Sequence, residues 1–151
     1  MELVEMNSGL NKKIILPGII TLALSAHTYA DTATGPAIVI VPPLPPINCT
    51  LTIEFDFSVP PPAYSLHIYS ALFFGAPTCS FVSTSGFPWY GSVSTGAWPE
   101  PFNIFTTFSA ASSSCGGYAN YEVDPSAGTI SINGALPCSS GPGEIYADLT
   151  Y

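Results

Sequence analysis

Cys49-Thr50-Leu51-Thr52-Ile53-Glu54-Phe55-Asp56-Phe57 alternates without a fault. Cys49, Leu51, Ile53, Phe55 and Phe57 fall on one face of an extended chain, and Thr50, Thr52, Glu54 and Asp56 fall on the other, because successive strand side chains point to opposite faces. The stretch predicts a β-strand buried on one side. A one-residue slip in its pairing would turn the apolar face to water and bury two carboxylates, so its neighbours are held to one alignment.

Upstream, Ala37 to Val41 is a short apolar run closed by Pro42-Pro43-Leu44-Pro45-Pro46. Residues 31–48 thus read as an N-terminal strand and a proline-rich segment, with Asp31 to Pro36 as a frayed terminus. The run is either a strand of the chain's own sheet or a donor to a neighbour's sheet, which would give a homo-oligomer by strand addition. Downstream, Tyr64 to Phe74 carries apolar residues in both phases of the alternation, as in a long strand buried on much of both faces. Cys79 to Ser83 reads as a short strand, and Ser85 to Pro101 as a turn-rich loop. Phe102 to Phe108 resumes a strand pattern, and Ala110 to Ser114 is a linker. Gly117 to Val123 and Thr129 to Asn133 form a hairpin about Asp124 to Gly128, Pro137 to Gly143 is a loop, and Glu144 to Tyr151 is a last strand. No window after residue 30 has a convincing helical period. The fold expected for residues 49–151 is a disulfide-stabilised, all-β antiparallel β-sandwich of about eight short strands, with a small β-barrel as the alternative.

Four cysteines suit two disulfides in an oxidising compartment. Counting outward from Ser126, Cys115 and Cys138 come to face each other at the open end of the hairpin, at the separation a disulfide requires. Cys49 with Cys79 follows by elimination. The four offer no Cys-x-x-Cys spacing and one histidine follows residue 30, which argues against zinc.

Lys12 and Lys13 precede the apolar run Ile14 to Ala26, and Thr28-Tyr29-Ala30 supplies small residues at a cleavage site. Residues 1–30 are therefore expected to be a secretory signal peptide, cut after Ala30, with no membrane span once it is removed, because the run is short of the roughly 20 residues a span needs. The expected location is secreted or periplasmic, at the cell surface. From Asp31 onward the chain has eight carboxylates and neither lysine nor arginine. Nucleic acid is excluded as a partner, since phosphate neutralisation by those two residues supplies most of such affinity.

Catalysis finds little to stand on. His67 lies mid-strand without a Gly-x-Ser-x-Gly turn elsewhere, and reads as a structural histidine rather than the base of a triad. Glu54 and Asp56, two apart on one face, are the weak calcium candidates, along with Glu122 and Asp124. Asp124 is better explained as the start of the hairpin turn. No catalytic residue, metal or cofactor is assigned, and an enzyme is not expected. Trp89, Tyr90 and Trp98 are the candidate ligand-binding residues, either as exposed rings on which a sugar stacks its C–H faces or as a plug on which the loop folds back. With no lysine or arginine to clamp an acidic sugar, a glycan partner would be neutral or basic.

Three functions of different class follow: a binding or surface-adhesion module for a neutral glycan or cell-surface partner, a structural subunit of an extracellular fibre or coat, and, least supported, a small secreted hydrolase. For the second, Glu144 to Tyr151 resembles the last strand of chaperone–usher fimbrial subunits over that strand alone, with the tyrosine last rather than next to last. The resemblance implies assembly by strand addition.

The missing cations carry a prediction about acid. Carboxylates that have no lysine or arginine to pair with lose little when protonated, and the cut chain then carries only about +2, from its α-amino group and His67. Residues 31–151 should stay folded from pH 7 to about pH 2 and be least soluble near pH 3 to 4. Near-ultraviolet circular dichroism across that range checks it, and a cooperative transition above about pH 3 contradicts it.

Overall fold

The computed structural model describes residues 31–58, 64–93 and 99–151; the expected signal peptide and Trp98 lie outside them. Nine strands follow in chain order: β1 (Asp31–Ile40), β2 (Ile47–Ser58), β3 (Tyr64–Gly75), β4 (Val82–Thr84), β5 (Trp89–Val93), β6 (Glu100–Ala110), β7 (Ser113–Asp124), β8 (Thr129–Cys138) and β9 (Gly141–Thr150). They form one antiparallel sheet in the order β4-β6-β7-β8-β9-β1-β2-β3-β5. Each long strand buries one face only, including β3, where burial of both faces was expected but Tyr69, Leu72 and Phe74 stay exposed, and the sheet curls until its inner faces pack on one another.

The two ends of the order approach each other. β5, paired to β3, lies against β6, where Gly91 leaves room for Ile104: a β-carbon on Gly91 would sit 2.7 Å from the Ile104 side chain. β4, paired to β6, reaches back to β3, where the Thr84 hydroxyl donates to the Ala71 carbonyl at 2.7 Å. Leu51, Ile53 and Phe55 of β2 point into the interior with Phe102, Ile104 and Ile130 from across the sheet. The opening strand thus behaves as its alternation requires. Both disulfides form as expected, Cys115 opposite Cys138 across β7 and β8, and Cys49 to Cys79.

Several local expectations are corrected. Asp31 to Pro36 is not frayed: it belongs to β1, paired residue by residue with β2 from Asp31 opposite Phe55 to Pro36 opposite Thr50. Gly35 permits this, because a β-carbon there would meet the Asp148 carbonyl of β9. The Ala37 to Val41 run is likewise occupied within the chain, with Ala37 to Val39 paired to both β2 and β9. Cys79 to Ser83 is not a strand throughout. Pro77–Phe81 forms a 3₁₀ turn, entered through Pro77 and held to β2 by the disulfide, and only then does β4 begin.

Pro137 to Gly143 is not a loop either. β8 and β9 run on to a two-residue turn at Ser139 and Ser140, with Pro137 opposite Pro142. Proline is tolerated here because each lacks a donor where no ladder needs one. The β7–β8 pairing is interrupted between Cys138 and Asn133, and β1 pairs with β9 only from Glu144 onward. Ala110 to Ser114 is a similarly tight turn between β6 and β7, with Ala111 at φ 56°.

The Asp124 turn forms as read. One carboxylate oxygen accepts from the Ser126 hydroxyl at 2.6 Å, the Ser126 amide at 2.9 Å and the Ala127 amide at 3.2 Å. These bonds, the Ser126 hydroxyl first, hold the Asp124 carboxyl below the usual carboxylate range. What the turn gains from the ionised form is present above the ordinary carboxylate value and is lost as pH falls through the lowered one.

One polar pair is sealed in the interior. Tyr121 and Thr106 are both fully buried, and their hydroxyls lie 2.8 Å apart, with Thr106 also donating to the Ile104 carbonyl at 3.1 Å. Burial pushes the Tyr121 hydroxyl well above the ordinary tyrosine range, while the Thr106 bond acts in the opposite sense. Thr106→Val should therefore cost about 1 to 3 kcal/mol by stranding the tyrosine hydroxyl. Adding Tyr121→Phe should recover most of that loss, because both unsatisfied groups are then gone. Urea unfolding of the two single variants and the double variant measures the coupling, and additive losses would show that the bond contributes nothing.

Candidate binding face

The aromatic residues singled out in the sequence are separated by strand alternation. Ser85 to Pro101 was expected to be a loop, but β5 runs through it, so Trp89 points inward and Tyr90 outward. Trp89 is 4 % exposed; its indole donates to the Ser85 carbonyl at 2.8 Å, and the Phe87 ring stacks on it with centroids 4.5 Å apart. Of the two alternatives for Trp89, this is the plug arrangement and not the exposed ring. Trp98 lies outside the described residues. Tyr90 alone of the three is on the described surface, 51 % exposed.

Tyr90 is joined there by two residues the sequence did not single out for binding. β3 pairs with β2 in two registers, Glu54 opposite Ser70 and then Phe55 opposite Ile68, so Tyr69 is an extra, bulged residue. The bulge shifts the alternation: Leu66 and Ile68 point inward before it, Ala71 and Phe73 after it. Tyr69 is thrown outward beside His67. Their rings are parallel within 7° at 6.1 Å, and the Tyr90 ring, opposite His67 on β5, lies 4.6 Å from it and is tilted by 38°. The result is a line of three rings, Tyr69, His67 and Tyr90, across the outside of β3 and β5.

Carboxylates border this line. Asp56 stands opposite His67 in the β2–β3 register, and His67 stands opposite Tyr90 in the β3–β5 register. Asp56 is half-buried, and among the described residues it receives neither a hydrogen bond nor an ion pair. Glu54 accepts from the Ser70 hydroxyl at 2.6 Å. The next row outward is hydroxyls, with Ser58 opposite Ser65 at 3.1 Å and Ser65 opposite Ser92. His67 is thus not among apolar neighbours, as its strand suggested, but on the polar side of the sheet.

Among the described residues no three carboxylate, imidazole or thiol groups gather as metal ligands, and Glu54 and Asp56 stand as a pair without a third. Three surface hollows, of about 330, 260 and 250 Å³, are lined by other parts of the sheet and its turns and do not include His67, Glu54 or Asp56. The second exposed ring pair, Phe105 with Tyr118, meets edge to face at 5.3 Å and presents no common plane. No protein-family model, no characterised protein and no solved structure matches the chain.

The two neighbours in β5 should respond oppositely to truncation. Trp89→Ala should lower stability by about 3 to 5 kcal/mol, as for other packed aromatic rings. Tyr90→Ala should change it by no more than about 0.5 kcal/mol, as at most exposed positions. Chemical denaturation of both variants decides, and similar losses would mean that Tyr90 supports the fold.

Proposed function

We propose that this protein is a secreted or periplasmic, non-catalytic binding module, used in surface adhesion, that recognises a glycan without acidic groups on the outer face of β2, β3 and β5. The observation that carries the reading is the line of Tyr69, His67 and Tyr90 beside two carboxylates and a row of serines. A sugar ring is apolar on its C–H faces and polar at its rim. Exposed aromatic rings accept the faces, carboxylates accept at the rim, and hydroxyls there accept or donate. An acidic sugar is disfavoured, because no lysine or arginine follows Lys13 to meet its charge. Two disulfides fit the oxidising compartment that such a role requires.

The reading is tested by titrating residues 31–151 with neutral oligosaccharides of graded length while following backbone amide shifts. Shifts should cluster on β2, β3 and β5. Tyr69→Ala and Tyr90→Ala should each weaken binding about threefold to tenfold, the usual worth of a stacked ring, with the fold unchanged. Binding that is indifferent to both rings, or no binding at all, overturns it.

A further inference from the structure

We infer that the glycan selected by this face carries ammonium groups, as an amino-sugar polymer does in its deacetylated form. The inference rests on the glycan reading above and adds the charge of the ligand to it. Charge complementarity carries it. From Asp31 onward every formal side-chain charge at neutral pH is negative, with eight carboxylates and no lysine or arginine, so an approaching cation meets attraction wherever it arrives. That field gives a preference for cations but no location.

The location comes from Asp56 and Glu54. An ionised carboxylate only accepts hydrogen bonds and an ammonium only donates them, so the two are matched without a competing group. Asp56 is half-buried beside the rings and takes no donor from the described residues, which leaves its lone pairs to a ligand. Glu54, two residues along the same face, engages one oxygen with Ser70 and keeps the other. The two sit about 6.6 Å apart along the strand.

The rings act in the same direction. Tyr69 and Tyr90 are 46 % and 51 % exposed, and the face of a tyrosine attracts a cation as well as an apolar C–H surface. A neutral sugar gains the stacking and uncharged-donor hydrogen bonds at its rim. A deacetylated one gains stacking, cation–π attraction and two charge-assisted hydrogen bonds.

The experiment compares two oligomers that share a backbone and differ in charge, a β-1,4-linked glucosamine hexamer and its fully N-acetylated counterpart, by calorimetry on residues 31–151. At low ionic strength the glucosamine hexamer should bind about tenfold more tightly, and the advantage should shrink to about twofold or less at high salt, where exposed charges are screened. The double variant Glu54→Gln with Asp56→Asn should weaken the glucosamine hexamer about tenfold more than it weakens the N-acetylated hexamer, so that the advantage is lost. Circular dichroism confirms that the variant is folded. Equal affinity for the two hexamers in the native protein overturns the inference and leaves the glycan reading intact. If neither hexamer binds, both fail. Polylysine supplies the remaining control: binding as tight as that of the glucosamine hexamer and insensitive to Tyr69→Ala and Tyr90→Ala would show charge attraction without a site, and overturns the inference.

Discussion

Closure of a one-faced sheet is the constraint on which the structure depends. Each long strand buries one face, and only curling gives every inner face a partner. The ends of a curled sheet must then be managed, because unpaired edges invite another chain. Here the two end strands are short and sit on opposite sides of the junction: β5 is attached to β3 and faces β6, and β4 is attached to β6 and faces β3. Gly91 against Ile104 and Thr84 against the Ala71 carbonyl bring them together. Inside, the Thr106–Tyr121 hydroxyl pair shows how strictly burial is enforced, since even the tyrosine oxygen finds a partner.

The same economy governs the outside. A chain without lysine or arginine after residue 30 cannot tie its strands with ion pairs between side chains of opposite charge, apart from any that His67 makes. It uses hydroxyls instead: Thr34 with Thr52 at 2.8 Å, Ser83 with Ser109 at 2.9 Å and Ser113 with Ser140 at 2.6 Å. Where a carboxylate takes part, a serine is its partner, as in Ser131 to Asp148. Cross-strand pairs of this kind are each worth a few tenths of a kcal/mol to about 1 kcal/mol, and the neutral ones respond to neither salt nor carboxylate titration. The prolines obey a related rule. Pro36 lies where the β1–β9 ladder pauses between Thr34 and Ala37, and Pro137 and Pro142 lie where the flanking ladders are absent, so each missing donor falls where none is used.

What could be read in advance was whatever a period or a count encodes. The alternation of Cys49 to Phe57 sets the strand and its buried face, and distance from the Asp124 turn sets the Cys115–Cys138 pairing. Composition misled where tertiary position overrides it. Asp31 to Pro36 looks like a frayed end but is held between two strands, and the Gly- and Pro-rich segment after Ser85 looks like a loop but contains β5. The ring line was hidden for a different reason. Tyr69 and His67 alternate correctly with each other, yet nothing in the sequence marks the register change against β2 that makes Tyr69 an extra residue. Trp89 and Tyr90 were read as one aromatic group, although adjacent strand residues cannot share a face.

The bulge at Tyr69 links the core to the surface. Ile68 and Ala71 are three residues apart, an odd step, so in an unbroken strand one of them would point to water. With it would go either Leu66 or Phe73, because each follows the phase of its own half of β3. One extra residue lets all four turn inward, where each is buried. The displaced residue has to leave the interior, and because it is a tyrosine beside a histidine, the correction leaves two parallel rings on the surface opposite Asp56 and Glu54. The candidate face is therefore not an addition to the fold. It lies where β3 changes phase to keep its apolar residues inside, and a deletion that removed the extra residue there would disturb the ring line.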